Sequence, residues 1–390
     1  MSGKLKFVFV FFLTLAMAGA VPAFADEISD LKAQLAMMQN QIQMLQGKIE
    51  VLEKDRQTRI QSPQDAEDRL LAVEEKLDQG ILGKITSEQL KVSGFVQPFY
   101  RWSENDSAND TFDVLRGFVT LNGTIAEDID YALQVDAAAS TDILRDAWVE
   151  YTKYKFAKIK FGQFPAPFSY EWNISSAGLD TVDRALVSSN LAYKRDLGLM
   201  AEGDVLDGAV YYGAGVFNGT ARNTADNNDK KDFIGRMIVS PLKNDDGTAN
   251  KDFHVAGAIQ TGDQPRSGNT HGTRTRGSGA VFYRVQKLKL YGEYIYQEIE
   301  GADGFDSADS DGWYVIGTYE ILPKIEAVFK YEQYDPNLDT SGDRQDITTL
   351  GVTYRVTSNV ILQANYRIRE EQYKLESSNN EFVTLATVKF

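Results

Sequence analysis

Basic side chains alternate with apolar ones along several short segments of the chain. In one of them Asn365, Arg367 and Arg369 alternate with Tyr366 and Ile368. Because a β-strand turns successive side chains to opposite faces, the polar set shares one face and the apolar set the other. A wall with one apolar and one charged face is typical of a membrane channel, in which Arg or Lys on the wet face favours anions.

The same alternation selects the side chains that would meet a solute. Basic residues of the inner face, together with three from one long connection, are the candidate pore-lining residues: Arg101, Arg116, Lys158, Lys160, Arg184, Lys194, Arg195, Arg236, Arg284 and Arg367. Acidic residues such as Asp136, Glu150 and Glu293 fall on that face too. Two interpretations therefore remain open: the bases guide anions, or opposite charges pair across neighbouring strands and only hydrate the wall.

The elements that position these side chains are sixteen predicted strands between residues 91 and 390. Their connections alternate, with few exceptions, between tight turns and longer polar loops. This pattern predicts an all-β fold, a 16-stranded antiparallel transmembrane β-barrel. The longest connection, residues 165–195, contains aromatic and apolar side chains, which favours folding into the barrel. There it would either narrow the bore as a filter or form a plain structural plug.

The N-terminal part of the chain has a different pattern. Residues 1–25 are predicted to be a signal peptide, with two lysines before an apolar run and a small-residue cleavage site. Residues 26–61 place apolar side chains at steps of three and four, the seam of an α-helical coiled coil. An amphipathic helix packed on a domain is the alternative. Residues 62–90 are a predicted short helical linker, and residues 91–390 form the predicted barrel. The coiled coil is expected in the periplasm and indicates self-association.

Composition excludes several classes of protein. The 390-residue chain has no cysteine and a formal net charge of −15, which argues against disulfides and against nucleic-acid binding. His254 and His271 lack metal-ligand spacing, so we predict no catalytic site, no metal and no cofactor. Four aspartates of one outer loop could hold Ca²⁺, although a solvated acidic loop is the simpler interpretation: Asp303, Asp306, Asp309 and Asp311.

Several motifs between Asp113 and Met200 resemble the phosphate-selective porin O/P family. The resemblance rests on the order and spacing of the following segments: Arg116-Gly117-Phe118 with Gly123, Asp130 to Asp136, Arg145 to Tyr151, Lys160 to Ser169 and Arg195 to Met200. It implies a homotrimeric outer-membrane porin of sixteen strands with an infolded third loop. In the best-known members of the family a basic ladder guides phosphate. Beyond Met200 the resemblance rests only on the regular succession of predicted strands and connections.

Three functions follow as hypotheses. The first is an outer-membrane porin, a water-filled channel for passive diffusion of small ions and solutes with a preference for anions or phosphate. The second is an envelope tether, whose coiled coil binds the cell wall while the barrel serves as an anchor in the outer-membrane lipid. The third is a barrel enzyme such as a lipase, which needs a lipid-facing Ser/His pair. We predict a channel and no enzyme.

Overall fold

The protein is described by a computed structural model. The structure describes residues 40, 43, 44, 46–48, 88–105, 109–265, 271–300, 307–371 and 379–390. The chain divides into two compact units, Met1–Lys84 and Ile85–Phe390. The described residues of the first unit are helical. The predicted signal peptide and every apolar position of the predicted coiled-coil seam lie outside the described residues, and so does most of the predicted linker.

Sixteen strands form one closed antiparallel barrel, in which each strand pairs with its neighbours in sequence and β1 pairs with β16. The strands are β1 (Lys91–Ser103), β2 (Thr111–Ala126), β3 (Ile129–Asp136), β4 (Leu144–Tyr154), β5 (Ala157–Pro165), β6 (Arg195–Val205), β7 (Val210–Phe217), β8 (Asp232–Val239), β9 (Phe253–Pro265), β10 (His271–Val285), β11 (Leu288–Ile299), β12 (Ala308–Leu322), β13 (Ile325–Asp335), β14 (Gln345–Arg355), β15 (Val360–Glu371) and β16 (Glu381–Lys389). The predicted all-β class, strand number and closure are confirmed. His271 is the first residue of β10, where it pairs with Pro265 at the end of β9.

Backbone hydrogen bonds between the first and last strands close the barrel. Gly94 donates to the carbonyl of Phe390 at 3.1 Å, and Phe390 donates to the carbonyl of Gly94 at 3.0 Å. A Cβ at Gly94 would lie 2.5 Å from the Phe390 ring, so glycine makes room for the terminal aromatic side chain. Because β1 pairs with β16, the sheet has no unpaired edge. A wall in lipid requires this closure.

The two faces of the wall differ in polarity, as the alternation predicts. On β13, Phe329 is 48% exposed on the outer face, whereas Lys330 and Glu332 are buried on the inner face. Outward apolar side chains continue around the barrel and include Ile259 and Val281. Such a band is what a transmembrane barrel presents to lipid. Within the described part of the chain, no helix has the length and apolar character needed to cross a membrane.

Short turns join the strands at one end of the barrel, apart from the longer connection between β8 and β9. In the turn between β6 and β7, Leu206 adopts the left-handed backbone region with φ 53°. A non-glycine residue in this region costs about 1–2 kcal/mol, and asparagine tolerates it better than leucine. The Leu206 side chain is 72% exposed, so it contributes little packing that could offset the cost.

Replacing Leu206 with asparagine is expected to raise the free energy of unfolding by up to about 1 kcal/mol, since the turn loses its backbone strain. Urea titration in lipid vesicles measures the change. Leu242→Asn is the matched control, because Leu242 is also an exposed leucine of a connection but has no positive φ. Equal effects of the two substitutions would contradict the prediction.

Candidate functional site in the barrel lumen

Residues 166–194, called here the L3 segment, join β5 to β6 and pack against the inner face of the wall. Phe168 and Val187 belong to a buried apolar cluster that includes Ile295 of β11 and Ile316 of β12. L3 also contains a short 3-10 helix, Ser176–Gly178, and one α-helix, α1 (Leu186–Leu191).

A second apolar contact lies at a different part of the wall. Val182 of L3 packs against Val383 and Leu385 of β16. L3 starts at β5, contacts β11 to β13, and also contacts β16, so its contacts are spread around the closed strand order. A segment that touches three well-separated parts of one ring crosses the lumen that the ring encloses.

Buried carboxylates of the wall hold L3 by accepting hydrogen bonds from it. Glu293 of β11 accepts from the backbone N–H of Tyr170 at 2.7 Å and from the hydroxyl of Ser169 at 2.9 Å. Glu332 of β13 accepts from the backbone N–H of Leu186. Both glutamates are almost completely buried. Their charges are therefore directed at L3 and not at the open channel.

Buried amides hold the middle of L3 without contributing any charge. The amide nitrogen of Gln363 donates to the carbonyls of Leu179 and Asp180, at 3.0 and 3.1 Å. The amide oxygen of Asn365 accepts from the backbone N–H of Val182 at 2.8 Å. Gln363 and Asn365 lie two residues apart on the inner face of β15, so one strand supplies both contacts.

Two of the predicted pore residues serve this attachment. Arg101 and Arg367 both form ion pairs with Asp183 of L3, at 2.9 and 3.0 Å. The same two arginines pair with Glu381 of β16, at 3.0 and 2.7 Å. Burial raises the pKa of the Asp183 carboxyl, but the charges of Arg367 and Arg101 outweigh it and leave the pKa below its ordinary value. Asp183 thus stays ionised and fixes L3 to β1 and β15.

Three more predicted residues are paired with acids. Lys160 lies between Glu150 and Glu202, at 3.1 and 2.6 Å. Arg195 pairs with Asp146 at 2.7 Å. Arg284 is about half exposed near the short-turn end and lies 3.7 Å from Asp252. Pairing between neighbouring strands, one of the two interpretations left open by the sequence, therefore describes part of the wall.

The other five predicted residues form no ion pair with any carboxylate in the described ranges: Arg116, Lys158, Arg184, Lys194 and Arg236. Arg116 donates instead to the amide oxygen of Gln97 at 2.9 Å. The guanidinium of Arg236 lies 5.8 Å from the centre of the Tyr170 ring. Their charges are thus not neutralised by direct contact with an acid.

Arg184 and Lys194 of L3 flank one aromatic ring. The guanidinium carbon of Arg184 lies 4.6 Å from the centre of the Trp172 ring, and the Lys194 ammonium lies 5.1 Å from it. Arg184 also donates to the carbonyl of Ile174 at 2.6 Å and to the hydroxyl of Ser176 at 3.3 Å. These partners are neutral, so they orient the cations without cancelling their charge.

The cations of this region repel one another. Burial, followed by the like charges of Arg116 and Arg195, lowers the pKa of Arg184 to about 10, although Glu171 opposes the shift. Burial and the charges of Arg222, Arg276 and Arg184 lower the pKa of Lys194. A negatively charged solute would relieve this repulsion, which makes the region a candidate anion site.

Three further basic residues lie in this region and were not predicted. Strict alternation places Arg145 on the outer face, but an irregular register between β3 and β4 lets it pair with Asp136 at 2.6 Å inside. Arg222 belongs to an outer connection, which alternation does not reach. Arg276 lies on β10 an even number of residues before Arg284, so its inward position could have been predicted from that of Arg284.

Within the described ranges, no group of His, Cys, Asp and Glu side chains has the geometry to hold a metal ion. Asp309 and Asp311 accept hydrogen bonds from Tyr296 and Tyr294, at 2.8 and 2.9 Å. Asp303 and Asp306, the other two aspartates of the predicted acidic loop, lie outside the described residues.

The closed barrel, its apolar outer band and its charged lumen define an outer-membrane porin. A family model of the phosphate-selective porins O and P matches residues 89–388, which include almost the whole barrel. The chain belongs to this family, as the motifs between Asp113 and Met200 suggested.

Solved porin structures share the fold at low sequence identity. An anion-selective porin from Comamonas acidovorans is 11% identical with a TM-score of 0.58, over 77% of this chain and 98% of that one. The outer membrane channel DcaP of Acinetobacter baumannii is 13% identical with a TM-score of 0.57, over 77% and 97%. OmpT, an outer membrane protein of Vibrio cholerae in a trimer form, is 14% identical with a TM-score of 0.54, over 77% and 99%. No curated protein matches the sequence.

The buried Glu171 carboxylate generates a prediction about pH. It accepts a hydrogen bond from the backbone N–H of Ala185 at 2.9 Å. Burial raises the pKa of Glu171 above 4.5, although Lys330 opposes the shift. The folded protein therefore binds this proton more tightly than the unfolded chain does.

Wild type is expected to lose stability relative to Glu171→Gln as the pH rises from about 4.5 to the raised pKa of the folded state. Below that pH window Glu171 is protonated in both the folded and the unfolded state, so the difference in stability between the two proteins is constant. Above the window wild type carries the full cost of burying the Glu171 charge. Urea unfolding of both proteins across this pH range measures the difference. Parallel pH profiles would contradict the prediction.

Proposed function

We propose that this porin is a passive channel that prefers small anions, inorganic phosphate among them, and that L3 forms its constriction. One observation supports the preference. Glu293 and Glu332 accept from the backbone of L3, and Asp180 and Asp183 pair with cations of the wall, while Arg116, Arg184 and Lys194 have only neutral partners. The field in the remaining opening is then positive. A positive constriction concentrates anions and excludes cations.

The path for the solute follows the basic residues without ion-pair partners. Lys194 and Arg184 belong to L3, Arg116 projects from β2, and Arg236 and Lys158 project from β8 and β5. Several separate cations of this kind offer an anion more than one weak contact, which allows it to enter and to leave. The description of the family as phosphate-selective is consistent with such a path.

We place the protein in the outer membrane, in contact with its lipid, as a homotrimer with a periplasmic coiled coil. The trimer form of the Vibrio cholerae protein supports the oligomer. Contact of the coiled coil with the cell wall stays a prediction from the sequence. The proposed role is a channel and not an enzyme, and it is supported by His254, whose ring nitrogens have the Tyr170 hydroxyl at 2.9 Å and the Lys251 carbonyl at 3.0 Å as partners.

Replacing Lys194 with methionine is expected to lower the chloride-to-potassium permeability ratio by about tenfold, because one unit charge acting through water at about 6 Å favours chloride by about threefold and disfavours potassium by about threefold. Reversal potentials of single channels across a potassium chloride gradient measure the ratio. Lys194→Arg keeps the charge and is expected to keep the ratio.

A neutralised ion pair serves as the matched control. Arg355 pairs with Glu326 at 2.9 Å, and the double substitution Arg355→Met with Glu326→Gln removes one charge of each sign. It is expected to leave the permeability ratio unchanged. A wild-type channel that prefers potassium, or a Lys194→Met channel with the wild-type ratio, would overturn the proposed function.

A further inference from the structure

We infer that Gln97 is a positioning residue, which holds Arg116 in the lumen, ties it to L3, and leaves its charge unpaired. The inference rests on the proposed anion preference and extends it to a residue that touches no solute.

Gln97 uses its whole side-chain amide on three partners. Its nitrogen donates to the hydroxyl of Thr387 on β16 at 2.9 Å and to the carbonyl of Ser176 in L3 at 3.1 Å. Its oxygen accepts from the Arg116 guanidinium at 2.9 Å. The side chain is 1% exposed, so water does not compete for these bonds. One residue therefore connects β16, L3 and the Arg116 cation.

The local backbone brings Gln97 and Arg116 together. They are direct cross-strand partners of β1 and β2, and the register shifts immediately afterwards, between Gln97 and Pro98. Facing partners of an antiparallel pair have neighbouring side chains on the same face of the sheet. The contact is thus fixed by strand register and does not depend on the conformation of a loop.

Only an amide satisfies these three partners. The Ser176 carbonyl can only accept, so the amide nitrogen must face it and the amide oxygen is left for Arg116. A glutamate at residue 97 would repel the Ser176 carbonyl and would neutralise Arg116. A lysine or arginine would repel Arg116. Glutamine orients the cation and adds no charge.

The link extends to a second cation. The hydroxyl of Ser176 accepts from Arg184 at 3.3 Å, and Arg116 is the like charge that most lowers the pKa of Arg184. Gln97 therefore fixes the relative positions of Arg116 and Arg184 through Ser176. Their separation determines how much positive field the opening presents.

The same device recurs at Arg276. Its guanidinium donates to the amide oxygens of Gln297 at 2.8 Å and Gln260 at 3.2 Å, and it forms no ion pair with a described carboxylate. Two arginines of the lumen are thus held by buried glutamines. Where arginines fix L3, as at Asp183, their partners are carboxylates.

The test compares single-channel reversal potentials of Gln97→Met, Arg116→Met and the double variant. Methionine has a similar volume but cannot form the three hydrogen bonds. Arg116→Met is the reference variant, with an expected loss of about tenfold in the chloride-to-potassium permeability ratio. Gln97→Met is expected to lower the permeability ratio by at least half as much on a logarithmic scale. The double variant is expected to have the same permeability ratio as Arg116→Met alone. Heat-modifiable migration on gels shows that each variant is folded.

Gln134→Met is the structural control, because Gln134 is also an amide on the inner face of the wall but hydrogen-bonds across neighbouring strands, to the Thr120 hydroxyl at 2.8 Å. It is expected to leave the permeability ratio at the wild-type value. An anion-selective wild type whose ratio is unchanged by Gln97→Met, or is changed equally by Gln134→Met, would overturn the inference alone. A wild type without anion preference would overturn the proposed function and the inference with it.

Discussion

The attachment of L3 inside the barrel is the interaction on which the rest of the site depends. Backbone N–H and carbonyl groups of L3 that are buried from water need hydrogen-bond partners, and side chains of the wall supply several of them. Glu293 and Glu332 supply acceptors on one side, and Gln363 and Asn365 supply amides on another. Asp183 completes the attachment through ion pairs with arginines of the wall.

This attachment also decides the electrostatics of the opening. Each carboxylate buried against L3 is removed from the surface that a solute meets. Two cations near the opening have neutral partners, the Gln97 amide at Arg116 and the Ile174 carbonyl at Arg184. A chain with a net charge of −15 can therefore enclose a positive constriction. Net charge does not predict pore selectivity because the position of each charge matters more than the sum.

Most of the fold could be predicted from the sequence, because strand alternation and turn parity are local. The strands, their closure and the inner face follow from a repeat of two residues. The irregularity that turns Arg145 inward could not be predicted, since it depends on the pairing of β3 with β4. Alternation also could not separate Arg367, which is paired, from Arg116, which is not, because Asp183 reaches the wall from a distant part of the chain.

The central claim is that the opening beside L3 holds anions and not cations. Anomalous diffraction from crystals soaked in rubidium bromide tests it most directly, since the two ions are distinguished at their own absorption edges. The account predicts bromide peaks among Arg116, Arg184 and Lys194, with no rubidium there. Rubidium peaks at these side chains, with bromide absent, would contradict it.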